Sequence, residues 1–121
     1  MTLSGGIPSI DVVAARQQAD EASAIIVDVR EPNEYAAVRV EGSALYPLST
    51  FVVRFNELPR DRRLLVLCQS GSRSMAATAH LLHNGWPDVS NVTGGIDAWQ
   101  RAGLPVHRGP MAPDEGGLPE R

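Results

Sequence analysis

The chain has 121 residues, of which 43% are hydrophobic and 21% are charged. This length and composition are typical of one compact globular domain with an apolar core of its own. The net charge of -3 excludes a broad basic surface for nucleic acid. No apolar run approaches the roughly 20 residues of a membrane-spanning helix. Cys68 is the only cysteine, which excludes an intramolecular disulfide, a CxxC redox pair and a cysteine-rich zinc site.

The two ends of the chain differ in composition from its body. Residues 1–6 show neither a basic stretch nor an apolar core of a secretory signal, so we expect a flexible start and a cytoplasmic protein. Residues 108–121 are rich in proline and glycine and poor in apolar side chains, which predicts a flexible tail. The sequence therefore places the folded domain at residues 7–107.

Apolar runs and helical patterns alternate along that domain. Ser9 is expected to cap a first helix that contains Ile10, Val13 and Ala14. The run at 64–67 predicts a central strand that is buried on both faces. The other predicted elements are, in order, a strand at 24–27, a helix from Pro32, a strand at 44–46, a helix from Ser49 to Leu58, a helix at 75–83, a strand at 89–92 and a helix at 96–101. This alternation predicts an α/β fold in three layers, with a mainly parallel central sheet and helices on both faces.

One loop of the predicted fold carries chemistry. Cys68 to Ser74 joins the central strand to a helix, at the edge of a parallel sheet where ligands gather. Small residues and a glycine allow consecutive backbone N–H groups to converge on an anion, and the helix dipole and Arg73 add positive charge. Because each of these features favours a thiolate, Cys68 is the candidate nucleophile. The structural alternative is a buried cysteine that merely ends a strand.

These segments together resemble the rhodanese (thiosulfate sulfurtransferase) family in its single-domain form, from about residue 7 to residue 106. The matching segments are Asp28-Val29-Arg30-Glu31-Pro32 with Glu34-Tyr35, Gly42-Ser43, Cys68 to Ser74, Gly94-Gly95 with Ala98-Trp99, and Gly103-Leu104-Pro105-Val106. The resemblance implies a rhodanese-like fold and a transferase without cofactor or metal.

The resemblance implies that Cys68 takes the outer sulfur of thiosulfate, or of a similar small anionic donor, and holds it as a persulfide. Arg73 would attract the donor, and the loop backbone would bind the transferred sulfur through Gln69, Ser70, Gly71, Ser72 and Ser74. Because the chain has no second thiol, the sulfur must leave to an external acceptor, which is a small thiol, a thioredoxin-like protein or a dedicated sulfur acceptor, and cyanide in an assay. Neither nucleic acid nor a membrane is an expected partner.

Two other functions use the same loop. A sulfur carrier or binding module, loaded by another protein and with little thiosulfate turnover, would keep Cys68 as well. Cysteine phosphatases and arsenate reductases with a similar fold have five residues between the nucleophile and the arginine, whereas Cys68 and Arg73 have four between them. The shorter loop favours a sulfur atom over a phosphoryl group.

Three further positions are singled out beside the loop. Asp28 and Arg30 lie at a strand end that faces the loop, either as support for the site or as a structural ion pair or helix cap. Arg39 departs from the family pattern, because relatives usually read Gly-His-Ile-Pro-Gly-Ala where this chain reads Val38-Arg39-Val40-Glu41-Gly42-Ser43. The arginine would keep a hydrogen bond to the sheet edge or simply be solvated.

Overall fold

A computed structural model describes residues 6–119 of the chain, and it shows a five-stranded, wholly parallel sheet in the order β1-β5-β4-β2-β3. The strands are β1 (Ser9–Ile10), β2 (Ala24–Asp28), β3 (Ala44–Leu45), β4 (Arg63–Leu67) and β5 (Val89–Val92). The α-helices are α1 (Val12–Asp20), α2 (Pro32–Ala37), α3 (Phe51–Arg54), α4 (Ser72–His83) and α5 (Gly95–Arg101). Short 3-10 turns at Leu48–Thr50 and Phe55–Glu57 flank α3. The predicted α/β class and three-layer arrangement are confirmed.

Alternating side chains of β2 and β4 divide the core into two clusters. On one face, Ile25, Val27, Leu64 and Val66 pack with buried residues of α3 and α4. On the other face, the intervening residues pack with buried residues of α1 and α5, among them Trp99. Burying both faces requires apolar residues at every position of the central strands, which is what the sequence has there.

The start of the domain differs from the prediction. Ser9 does not cap a helix, because Ser9 and Ile10 form β1 and pair with Asn91 and Val92 of β5. The first helix is instead capped by Asp11, whose carboxylate accepts the Ala14 N–H at 2.8 Å. Aspartate satisfies an otherwise unpaired N–H of the first turn as well as serine does, and the extended partner strand was available to residues 9–10.

The segment after His107 lies against the domain, where the sequence predicts a flexible tail. The N–H of Leu45 in β3 donates to the Gly116 carbonyl at 2.8 Å, so this segment runs beside the edge strand of the sheet. Leu118 packs against the core cluster of α4. The composition of the segment does not indicate these contacts, because most of them depend on backbone groups and on one buried arginine rather than on an apolar pattern.

That arginine is Arg39, which is 2% exposed and therefore not solvated. Its guanidinium forms two hydrogen bonds with the Glu115 carboxylate, at 2.7 and 2.9 Å, and donates to the Gly109 carbonyl at 2.8 Å. The Arg39 backbone also pairs with His107 in an isolated antiparallel bridge. The departure from the family pattern at position 39 thus coincides with the residue that holds the tail. The mobility of residues 108–119 stays a prediction, and residues 1–5, 120 and 121 lie outside the described part.

Within residues 6–119, no helix combines the length and the apolar character needed to cross a bilayer. The expectation of a cytoplasmic protein stays a prediction.

Candidate active site

Cys68 directly follows β4 and begins a tight loop, residues 68–74, which we call the cysteine loop. The loop reaches the first turn of α4 through Gly71, which has φ +114° and precedes the helix. An L side chain rarely adopts this φ, so glycine is needed where the chain reverses. The reversal brings the Gly71 N–H to 3.1 Å from Cys68 Sγ.

Cys68 lies at the base of the loop with no exposed surface, rather than at an open mouth. Burial raises the pKa of its thiol, but hydrogen bonds from the Ser74 hydroxyl and from the backbone N–H groups of Ser74, Gly71 and Ser70 together outweigh it. The net pKa of Cys68 is therefore below its ordinary value. Hydrogen bonds that favour the charged form of a buried thiol are the arrangement of a reactive cysteine.

The Ser74 hydroxyl lies 3.3 Å from Cys68 Sγ and is itself buried. It is also within hydrogen-bond distance of the Gly71 carbonyl and of Asn91 Oδ1. Sequence reasoning missed Asn91, which is a buried polar residue in the otherwise mostly apolar strand β5. A polar side chain at a buried strand position was the available signal, because such groups need a partner.

The turn Gly94-Gly95 places the start of α5 in backbone contact with the cysteine loop. At the start of α5, the N–H groups of Ile96 and Asp97 donate to the carbonyls of Cys68 and Gln69, at 2.8 and 3.0 Å. A Cβ on Gly95 would lie 2.3 Å from the Cys68 carbonyl oxygen, a distance that no side chain tolerates. Gly94-Gly95, one of the segments that resemble the family, thus lies directly beside the cysteine loop.

Arg73 lies in the first turn of α4 and contacts Glu34 of α2. Its Nη1 and Nη2 atoms form a two-pronged ion pair with Oε1 and Oε2 of Glu34, at 2.7 and 2.8 Å. The hydrogen bond from Arg73 lowers the pKa of Glu34 to about 2, so the carboxylate is ionised at any ordinary pH. Glu34 belongs to one of the segments that resemble the family, but it had no predicted role, because a pairing across 39 residues leaves no local signal in the sequence.

Asp28 and Arg30 form a wholly buried ion pair, with Arg30 Nη2 at 2.8 Å from Asp28 Oδ2. Arg30 also donates to the carbonyls of Glu34 and Val38, at 3.3 and 2.6 Å. These bonds connect the end of β2 to Glu34 within α2 and to Val38, the residue that follows this helix. The pair is thus connected to α2, which carries Glu34, and its role as support for the site or as a structural pair stays a prediction.

The remaining loop residues differ in exposure. Gln69 donates through Nε2 to Asp97 Oδ1 at 2.5 Å, which fixes its side chain to α5. Ser70 contributes a backbone N–H towards the sulfur, whereas Ser72 is exposed at the first position of α4. The geometry therefore brings the backbone of the loop, the Ser74 hydroxyl and the Cys68 sulfur together. The charge of Arg73, which also interacts with Cys68, is paired with Glu34.

Comparisons with known proteins agree with this architecture. The family model described as "Rhodanese-like domain" matches residues 9–102. A "Sulfurtransferase" of Allochromatium vinosum is 37% identical over 92 residues, which cover 76% of this chain and 86% of that protein. A "Thiosulfate sulfurtransferase GlpE" of Vibrio cholerae is 34% identical over 98 residues, covering 80% of this chain and 92% of that protein.

Solved structures give the same picture. The crystal structure of a rhodanese-related protein from Thermoplasma volcanium superposes with a TM-score of 0.74 at 30% identity, over 83% of this chain and 97% of the other. A protein of unknown function from Rhodopseudomonas palustris, called a possible tyrosine phosphatase, reaches 0.73 at 22% identity, over 85% and 86% of the two chains, and shows the fold alone. On the matched residues and the fold together, the chain belongs to the rhodanese-like domain family.

Proposed function

We propose that the protein is a sulfurtransferase that moves a sulfane sulfur through a persulfide on Cys68. The observation that carries the proposal is the environment of Cys68 Sγ, which receives the Gly71 N–H at 3.1 Å and lies 3.3 Å from the Ser74 hydroxyl. The lowered pKa of this thiol supports attack by a thiolate. The names of the two relatives, sulfurtransferase and thiosulfate sulfurtransferase, support the same reaction class.

In the first half of the reaction, the Cys68 thiolate attacks the outer sulfur of the donor. A bond forms between Cys68 Sγ and that sulfur while the donor's own sulfur–sulfur bond breaks and its electron pair leaves with the remainder, which is sulfite when the donor is thiosulfate. The loop N–H groups then face the negative terminal sulfur of the persulfide. Hydrogen-bond donors that are held in position before the reaction need no reorganisation, and each contributes about 3 kcal/mol to transition-state stabilisation in comparable sites.

In the second half, an external thiol or cyanide attacks the terminal sulfur and releases the Cys68 thiolate. The acceptor must come from outside, because Cys68 is the only cysteine of the chain. The thiosulfate donor, the cyanide acceptor and the roles of Arg73 and of the loop backbone are parts of this proposal.

The direct test is intact-protein mass spectrometry after incubation with thiosulfate and then with cyanide. We expect a gain of one sulfur atom that cyanide removes, and no gain in Cys68→Ser. A matched gain in Cys68→Ser would refute the mechanism. If the wild-type protein gains no sulfur from thiosulfate but gains it from a persulfidated protein, the alternative of a carrier loaded by another protein is favoured.

A further inference from the structure

Arg73, the cation that the cysteine loop would present to an anionic donor, already forms an ion pair. Both terminal nitrogens of Arg73 contact Glu34, and a two-pronged arginine–carboxylate pair is among the stronger pairings of side chains. The two side chains are half-buried, with 34% and 28% exposure, so solvent screens the pair only in part. The positive charge beside the loop is therefore largely compensated.

Two other arginines near the loop, Arg30 and Arg101, do not replace Arg73 as a free cation. Arg30 is wholly buried and paired with Asp28. Arg101 is exposed at the end of α5, with Nη2 3.9 Å from the position that a Cβ on Gly94 would take. Its charge is surrounded by water and is screened accordingly. On the α5 side of the loop, the carboxylate of Asp97 adds a negative charge.

The burial of Cys68 makes this balance of charge important. The sulfur has no exposed surface, so the reacting end of any donor must lose water as it approaches. Removing a dianion from water without a free counter-charge is costly, whereas a neutral thiol-like sulfur loses little. Thiosulfate is a dianion, whereas a persulfide carries at most one negative charge and carries none in its protonated form, R–S–SH, which is the form that the thiolate attacks.

Building on the proposed sulfur transfer, we propose that Glu34 determines donor specificity: by neutralising Arg73, it makes Cys68 prefer a persulfide of low charge to the thiosulfate dianion. The Cys68 thiolate attacks the outer sulfur of R–S–SH, and a new sulfur–sulfur bond forms as the donor's bond breaks. The electron pair leaves with R–S⁻, and the proton stays on the transferred sulfur. No oxidant or reductant is required.

The test compares two donors on four proteins: wild type, Glu34→Gln, Glu41→Gln as the control for net charge, and Arg101→Gln as the control for the exposed arginine near the loop. Glutamine keeps the side-chain oxygen that accepts the Glu31 N–H at the start of α2, but it removes the charge that compensates Arg73. Glu41 is exposed and lines a cavity of about 390 Å³ with Ala24, at the opposite end of the strands from Cys68. The control therefore changes the net charge equally, but far from the loop.

The rate constant for loading Cys68 is measured by mass spectrometry, with thiosulfate and with the persulfide of N-acetylcysteine methyl ester, which has no other charge. In Glu34→Gln we expect loading from thiosulfate to rise about tenfold, and loading from the persulfide to change by less than about twofold. Between about 10 and 200 mM ionic strength, thiosulfate loading should fall steeply in Glu34→Gln and stay nearly flat in wild type. Glu41→Gln should leave the ratio of the two rates unchanged.

Two results would overturn the inference. One is a ratio of the two rates in Glu34→Gln that equals the ratio in wild type or in Glu41→Gln. The other is a loss of more than about twofold in thiosulfate loading in Arg101→Gln, which would make the exposed arginine the donor's cation. Either result leaves the proposed function standing as long as wild-type Cys68 is loaded. Failure of both donors to load wild-type Cys68 contradicts the proposed function itself.

Discussion

Replacing the Asp28 carboxylate of the buried Asp28–Arg30 ion pair should lower the free energy of unfolding of the domain strongly. In Asp28→Asn the amide oxygen can still accept a hydrogen bond, but its NH₂ group faces the Arg30 guanidinium, and two donors then oppose each other. Arg30 has no exposed surface through which water could solvate its charge. Removing one partner of a buried pair costs about 3–5 kcal/mol.

The two backbone carbonyls that Arg30 still contacts, at 3.3 and 2.6 Å, place the expected loss near the lower end, at about 3 kcal/mol. For a domain of 121 residues this corresponds to a fall in Tm of roughly 10 °C. Urea denaturation followed by circular dichroism measures the free energy of unfolding, and thermal melting measures Tm.

The matched control is Asp88→Asn, which breaks the exposed pair between Asp88 and Arg63, 3.2 Å apart. Their side chains are 48% and 38% exposed, so this pair should contribute less than about 1 kcal/mol. If Asp28→Asn costs no more than Asp88→Asn, burial does not set the value of the ion pair, and the reasoning is wrong.

Three further changes test the loop and the tail. Gly95→Ala should reduce the rate of sulfur loading at least about tenfold, because its Cβ would lie 2.3 Å from the Cys68 carbonyl oxygen. The control Gly103→Ala has no atom within 4 Å of the new Cβ, so it should only lower the free energy of unfolding, by about 1 kcal/mol, because of its positive φ. Ser74→Ala should raise the pKa of the Cys68 thiol, because it removes the hydroxyl hydrogen bond that lowers this pKa; thiolate absorbance against pH measures it, with Cys68→Ser as the blank. Truncation after His107 removes the Glu115 partner of a buried guanidinium, so Tm should fall by several degrees, while an unchanged Tm would show that the tail contributes no stability.

The sequence predicted best what is encoded by neighbouring residues. The apolar run of β4, the glycine at the turn of the cysteine loop and the helix that follows are adjacent in the chain, so their pattern and order suffice to place Cys68. The segment from Asp28 to Arg30 also allowed an ion pair as one of its alternatives, because two residues of opposite charge lie two positions apart at a strand end.

What the sequence did not predict depends on contacts between distant residues. Glu34 and Arg73 are 39 positions apart, and Arg39 and Glu115 are 76 apart. A charged residue has the same local pattern whether its partner is water or a carboxylate from another element. The pairing of β1 with β5 was missed for a related reason, since a two-residue strand has no periodicity of its own and is defined only by its neighbour.

These contacts separate two properties of the candidate site that the sequence had combined in Arg73. The largest contributions that lower the pKa of Cys68 are hydrogen bonds from Ser74, Gly71 and Ser70, so the backbone of the loop and one hydroxyl favour the thiolate. The charge of Arg73 is compensated by Glu34, which lies on a different helix. Because the hydrogen bonds to the sulfur and the pairing of Arg73 involve different residues, we expect a substitution at Glu34 to change donor use more than it changes the thiol, with which Arg73 interacts only through its charge. A change at Ser74 should do the reverse, and measuring both variants with both donors distinguishes the two effects.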